Sequence, residues 1–306
     1  MKKSLIALAV LAASGVAMAQ SSVTMYGVAD LSLAKSNGSS AQMSGNGTLN
    51  NGNSRLGVRG VEDLGGGLKA SFNFEQGINA ENGATDANTF QRAAWVALSG
   101  GFGKFQMGRA LTPSFWGVAT WELTGTANYS AVANQFGFAG GPSRNNSMFM
   151  YSTPNMGGFG ANIGYIAKPD NGGNAKFDAS VTYANGPIAA GLSYTKTKNA
   201  KHGAALGVAY DFGAFKVAGS LQDPAGPSKG FTLGGSVPVG PVALTLDIAR
   251  ENGDNMKNTD VLVEAKYALS KRTFAYAVYY KDGDAGGGVY KTGAKNHFGL
   301  GVRHNF

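Results

Sequence analysis

From Val23 onward the chain alternates apolar and polar residues with a period of two. Val23, Met25, Gly27, Ala29, Leu31 and Leu33 hold one parity, and Thr24, Tyr26, Asp30 and Ser32 the other. The same alternation returns at 68–75, 159–165, 177–183, 242–248 and 261–267. Such runs fit strands with one apolar and one polar face. Each is about 10 residues long, the length at which a tilted strand crosses a bilayer.

The connections between runs come in two sizes that take turns. Seven are short, among them Glu62-Asp63-Leu64-Gly65-Gly66, Asn185-Gly186-Pro187 and Leu269-Ser270-Lys271. Eight are long, at roughly 35–53, 79–89, 111–146, 169–175, 197–202, 223–228, 252–258 and 282–295. Together they join sixteen strands. An even count, with tight turns at one end and long loops at the other, predicts an all-β fold: a sixteen-stranded antiparallel transmembrane β-barrel. A soluble sandwich has no reason to sort its loops by length. Tyr165, Tyr183, Tyr210, Tyr267, Phe74, Phe177, Phe231 and Phe298 stand mostly at run ends, where interfacial aromatic girdles belong. Closing the sheet removes the free strand edges that lipid does not tolerate.

The segment 111–146 breaks the pattern. Glu122 and Arg144 are its only charges, while Phe115, Trp116, Trp121, Leu123, Tyr129, Phe136 and Phe138 are apolar or aromatic. Disordered chain has the opposite composition, and a surface loop would waste that apolar area in water. The expectation is a loop, third in the count, folded inward as a constriction. Before the strands, Met1 to Ala19 reads as a targeting segment: Lys2 and Lys3, an apolar core at 5–16, and the Ala17-Met18-Ala19 cleavage site. Residues 20–306 then form the barrel.

Composition sharpens this picture. The 306 residues include 47 glycines, three histidines and no cysteine, so disulfides, thiolate metal sites and cysteine nucleophiles are excluded. A mean hydropathy of −0.11 excludes a bundle of membrane helices but suits an alternating wall. The charge of +8 falls to +6 without Lys2 and Lys3, and no basic cluster exceeds Lys196, Lys198 and Lys201, so no nucleic-acid partner is expected. His202 lies in a loop and His297 and His304 in the last strand, without metal spacing or a triad partner, and no phosphate-binding glycine loop occurs. No enzyme, metal or cofactor is expected.

The first strand VTMYGVADLSL, the segment NSRLGVRGVEDLGGGLKASFNFEQG, the run FQRAAWVALSGGFGKFQMGR, the turn ALSKRT and the ending FGLGVRHNF together resemble the general diffusion porins of β-proteobacteria, relatives of the neisserial porins. The resemblance covers essentially the whole chain after Ala19. It implies a homotrimer in the Gram-negative outer membrane, among outer-membrane lipids, with the third extracellular loop in the lumen. Phe306 looks like the terminal signal read by the barrel-insertion machinery.

A pore needs fixed charges at a narrow waist rather than a nucleophile. Leu56 and Val58 share the lipid parity, which turns Arg55 and Arg59 into the lumen. Lys69 and Glu75 are inward by the same count. Arg92, Arg109 and Arg144 extend the basic wall, although Arg109 shares the parity of Phe105 and Met107 and needs a bulge to aim inward. Glu122 supplies an opposing carboxylate from the loop. The competing reading places the arginines at the rim or against lipid headgroups and has Glu122 capping within its own loop. A lipid-facing arginine at mid-depth costs about 2–4 kcal/mol, which favours the inward choice. The expected function is a water-filled channel for passive diffusion of small hydrophilic solutes and ions, with mild anion preference. Its rivals are a barrel enzyme, a plugged receptor or adhesin barrel, and a substrate-specific channel. The last usually carries an aromatic track, whereas the inward parity reads as mostly small or charged.

Overall fold

The structure, a computed structural model, describes residues 21–253, 257–283 and 294–306; the targeting segment 1–19 lies outside them, as do parts of the last two long connections. Alternation becomes strands throughout. The wall begins with β1 (Ser22–Ser36), followed by β2 (Gln42–Ser44), β3 (Arg55–Gly65), β4 (Leu68–Gly77), β5 (Ala93–Gly100) and β6 (Gly103–Leu111). After the long third connection come β7 (Arg144–Ser152), β8 (Phe159–Ile166), β9 (Lys176–Asn185), β10 (Ile188–Thr197), β11 (Gly203–Asp211) and β12 (Lys216–Asp223). β13 (Gly230–Val239), β14 (Val242–Glu251), β15 (Thr259–Ala268), β16 (Thr273–Lys281) and β17 (Asn296–Asn305) complete it. Sixteen strands form the barrel. The extra one, β2, is a three-residue strand in the first long connection, paired with Ser32–Ala34 of β1.

Each of the sixteen barrel strands pairs antiparallel with the next barrel strand along the chain, and β1 closes the ring by splitting its partners. Its first half pairs with β3 and its second half with β17. The last residue finishes the seam: the Phe306 and Gly27 backbones exchange two hydrogen bonds of 3.0 Å. A side chain at Gly27 would collide with the Phe306 ring, so glycine there lets the terminal aromatic lie across the joint.

Burial is inverted relative to a water-soluble protein. The outward row is apolar and open, with Val23 70% exposed and Leu233 57%. The inward row is polar and covered: Asp30 and Asp260 are wholly buried. In water that arrangement forfeits about 25 cal/mol for each Å² of apolar surface left uncovered; hydrocarbon removes the penalty. Among the described residues no helix is long and apolar enough to cross a membrane, so the strands are what meets the lipid.

The third long connection contains two short helices, α1 (Pro113–Ala119) and α2 (Ala131–Phe136). Thr112 and Ser130 cap them by accepting from Phe115 N and Ala133 N. The segment spreads over inward-facing residues from β8 to β15. Ser114 donates to Asp178 of β9 from both its amide, 2.8 Å, and its hydroxyl, 2.6 Å. On the far side Tyr129 donates to Glu264 of β15 at 2.5 Å, and Lys266 Nζ donates to Thr124 O at 2.9 Å. Small residues in the wall give it room. A Cβ on Gly191 would lie 1.9 Å from Gly117 O, and one on Gly207 would lie 2.0 Å from the Trp121 indole.

Candidate functional site

One carboxylate organises a group of guanidiniums where the wall is not covered by the loop. Glu75, inward on β4, accepts from Arg92 Nε at 2.7 Å and pairs with Arg55 Nε at 3.7 Å. The Tyr26 hydroxyl donates at 2.8 Å to Oε2, the oxygen that Arg55 faces. Arg144, first residue of β7, donates Nε to the Arg92 backbone carbonyl at 2.7 Å and lines the same cavity. Arg303 of β17 completes the group, held by Asn51 at 2.8 Å and Asn305 at 3.1 Å. The cavity lining thus carries four guanidiniums and one carboxylate, a surplus of three positive charges, with only Arg55 and Arg92 paired to Glu75.

These side chains line one side of a cavity of about 470 Å³; Phe115, Asn128, Asn134 and Phe138 of the third connection line the other. The loop wall is held by a hydrogen-bonded phenol. Burial first, and then the neighbouring Glu264 carboxylate, push the Tyr129 phenol well above its usual range, so it stays protonated and donating. Asn51 Nδ2 donates to the same oxygen at 2.7 Å and ties the first long connection to the third.

The sequence-derived candidates divide. Arg55, Arg92 and Arg144 come together, and Arg92 sits just before β5 rather than within a strand. Arg59 shares their parity but is exposed further along β3, its guanidinium 5.0 Å from the Tyr26 ring centroid. Lys69 also keeps inward parity. It stands opposite Asp63 beside the β3–β4 turn, about 20 Å along the strand from Glu75.

Arg109 departs from the expectation. A register shift does occur between Gly108 and Ala110, with Gly108 at a φ of 123°. Arg109 nonetheless pairs with Ala94, which shares the outward parity of Val96 and Leu98, and it donates to Gln91 O and Asn146 Oδ1. The extra residue of that bulge lies on β7, between Asn145 and Met148, so β6 keeps its own alternation through Arg109. Glu122 departs as well. It is buried and accepts from Thr124 N at 3.0 Å, Thr124 Oγ1 at 2.6 Å, Thr126 N at 2.6 Å and Ser130 Oγ at 2.8 Å. Those four donors saturate it within its own loop, so it does not oppose the arginines; Glu75 is the carboxylate they face.

A closed antiparallel barrel with an inverted surface and a polar interior matches a known family over nearly its whole length. The family model for Gram-negative porins covers residues 5–287. The chain belongs to the Gram-negative porins. It is 37% identical over 352 residues to outer membrane porin protein 32 of Delftia acidovorans, with 100% of both chains covered. It is 32% identical over 269 residues to an outer membrane porin protein of Bordetella pertussis, covering 71% of this chain and 68% of that one. Among solved structures, an anion-selective porin from Comamonas acidovorans superposes with a TM-score of 0.76 at 29% identity, covering 94% of this chain and 100% of that one. The porin is an outer-membrane protein with a channel through its barrel.

Strand parity alone could have found two further residues in the porin's interior. Arg303 alternates with Val302 on β17, and Lys104 alternates with Phe105 on β6. Trp95 also points inward, opposite Asn73. It is an aromatic on an inward parity that otherwise reads as mostly small or charged.

Proposed function

We propose that the porin is an anion-preferring, water-filled pore for passive diffusion of small hydrophilic solutes, with its waist between the guanidinium group and the third loop. The surplus of three positive charges at that cavity carries the reading. The arginines act as fixed charges that raise the local concentration of anions and lower that of cations. The solved neighbour described as anion-selective supports the same sign. The long connections face outward from the cell, the short turns inward, and three copies assemble side by side, as the family resemblance implies. Reversal potentials of the purified porin across a potassium chloride gradient test this. Anion preference is expected at about 0.1 M and fades near 1 M, where the screening length shrinks from about 10 Å to about 3 Å. A cation-preferring potential at low salt would overturn the proposal.

The porin is a conduit and not a catalyst. Ser36 Oγ does lie 2.8 Å from His297 Nδ1, but that imidazole is wholly buried and beyond the reach of a solute. His202 stacks on Tyr194, and His304 meets Thr273 Oγ1 at 2.8 Å.

Phe306, lying across the barrel seam, serves as the terminal residue that the insertion machinery engages. Phe306→Ala is expected to lower the amount of folded porin in outer-membrane fractions while leaving refolding in detergent intact. Equal loss in both would make the residue structural only.

A further inference from the structure

A second chamber adjoins the waist on the short-turn side. It measures about 260 Å³ and shares Glu75, Arg92 and Arg144 with the first. Its remaining surface is of a different kind: Trp95, Trp116, Met150 and Lys104 line it. Trp116 projects from α1 and is 43% exposed, with Phe115 meeting it edge-on at 5.4 Å. The Lys104 ammonium lies 5.4 Å from the Trp95 ring centroid. The ion pairs of the described residues include neither Lys104 nor Arg144, so both cations face this chamber without a carboxylate of their own.

An indole left 43% exposed inside a channel is unused apolar area, and Phe115 of the same loop meets it only edge-on. The same chamber holds Lys104 and Arg144, which form no ion pair among the described residues. An inorganic anion uses the cations and leaves the indole idle; a neutral solute does the reverse. A planar ring bearing one carboxylate uses both. We propose that this chamber is a transient binding station for aromatic monocarboxylates, the head held by Lys104 and Arg144 and the ring stacked on Trp116. The inference rests on the anion-preferring reading above and adds the class of solute.

Single-channel chloride current through the whole porin, with sodium benzoate or sodium acetate added, tests it. Benzoate is expected to reduce the current at a concentration roughly tenfold below acetate, the gain a ring stack of this kind supplies. Trp116→Ala should bring the two anions to equal potency, Trp116→Phe should keep most of the difference, and Lys104→Gln should weaken both anions together. Equal potency in the unaltered porin overturns the proposal, as does a benzoate advantage that survives Trp116→Ala. The anion reading fails separately, on a cation-preferring potential in plain potassium chloride before any benzoate is added.

Discussion

Replacing Arg55 and Arg144 together by glutamate makes the porin cation-preferring, seen as a change of sign in the reversal potential. The waist carries four guanidiniums against one carboxylate, and two reversals turn a surplus of three positive charges into one net negative charge. A permeant ion crossing the cavity of about 470 Å³ passes all of them. One unit charge at 4 Å is worth about 1 kcal/mol in bulk water and about 4 kcal/mol at an effective dielectric of 20, so a swing of at least roughly tenfold in permeability ratio follows. The pair is chosen because neither member anchors the group. Arg144 donates to a backbone carbonyl and to the Ser143 hydroxyl, and Arg55 stands 3.7 Å from Glu75. Glu75 keeps Arg92 at 2.7 Å and the Tyr26 hydroxyl at 2.8 Å in the double variant. Changing Arg92 instead would strip the buried carboxylate of its strongest partner and confound selectivity with folding. Arg109→Glu is the matching control: its side chain lies on the outward face, and the permeability ratio should not move. A double variant that keeps its anion preference would place the filter elsewhere in the pore.

The contrast between Arg109 and Arg55 shows what strand parity can and cannot read. In a wall with lipid on one side, a one-residue slip exposes every apolar side chain to water, so register is strongly enforced and parity is legible from sequence. Leu56 and Val58 point Arg55 inward, and the same rule applied to Phe105 and Met107 pointed Arg109 outward, where it stands. Arg303 beside Val302 obeys it too. The rule stops at 111–146, where no lipid enforces a period. There the apolar content betrayed that the segment is covered, but the partners depend on which side chain meets which across the barrel. Glu122 turns back to Thr124, Thr126 and Ser130 because three nearby residues offer it donors at once. Trp116 escapes any periodic rule because it sits on a two-turn helix whose orientation is set by Asp178 and Ser193 in the wall.

Gly207→Val should open the waist. The inward face of β10 and β11 is planed down where the third loop lies against it, and a Cβ at Gly207 would stand 2.0 Å from the Trp121 ring. Valine suits a strand, so the barrel has no reason to refuse it; the loop has to yield instead. Trp121, wedged between the wall and the packed side chains around Val118 and Val132, cannot shift without lifting that part of the segment. Single-channel conductance should rise roughly twofold, because the segment occupies lumen that ions would otherwise use. Anion preference should fall with it, since the guanidiniums then face open water in place of a wall. Limited proteolysis within 120–140 should appear at the same time and be absent from the unaltered porin. Gly219→Val supplies the control on the outward face of β12, where the nearest atoms to a Cβ stand 3.4 Å away and nothing of the loop is near. If Gly207→Val conducts no better than that control, the third loop is not what narrows the channel, and the selectivity assigned to the arginines loses its opposite wall.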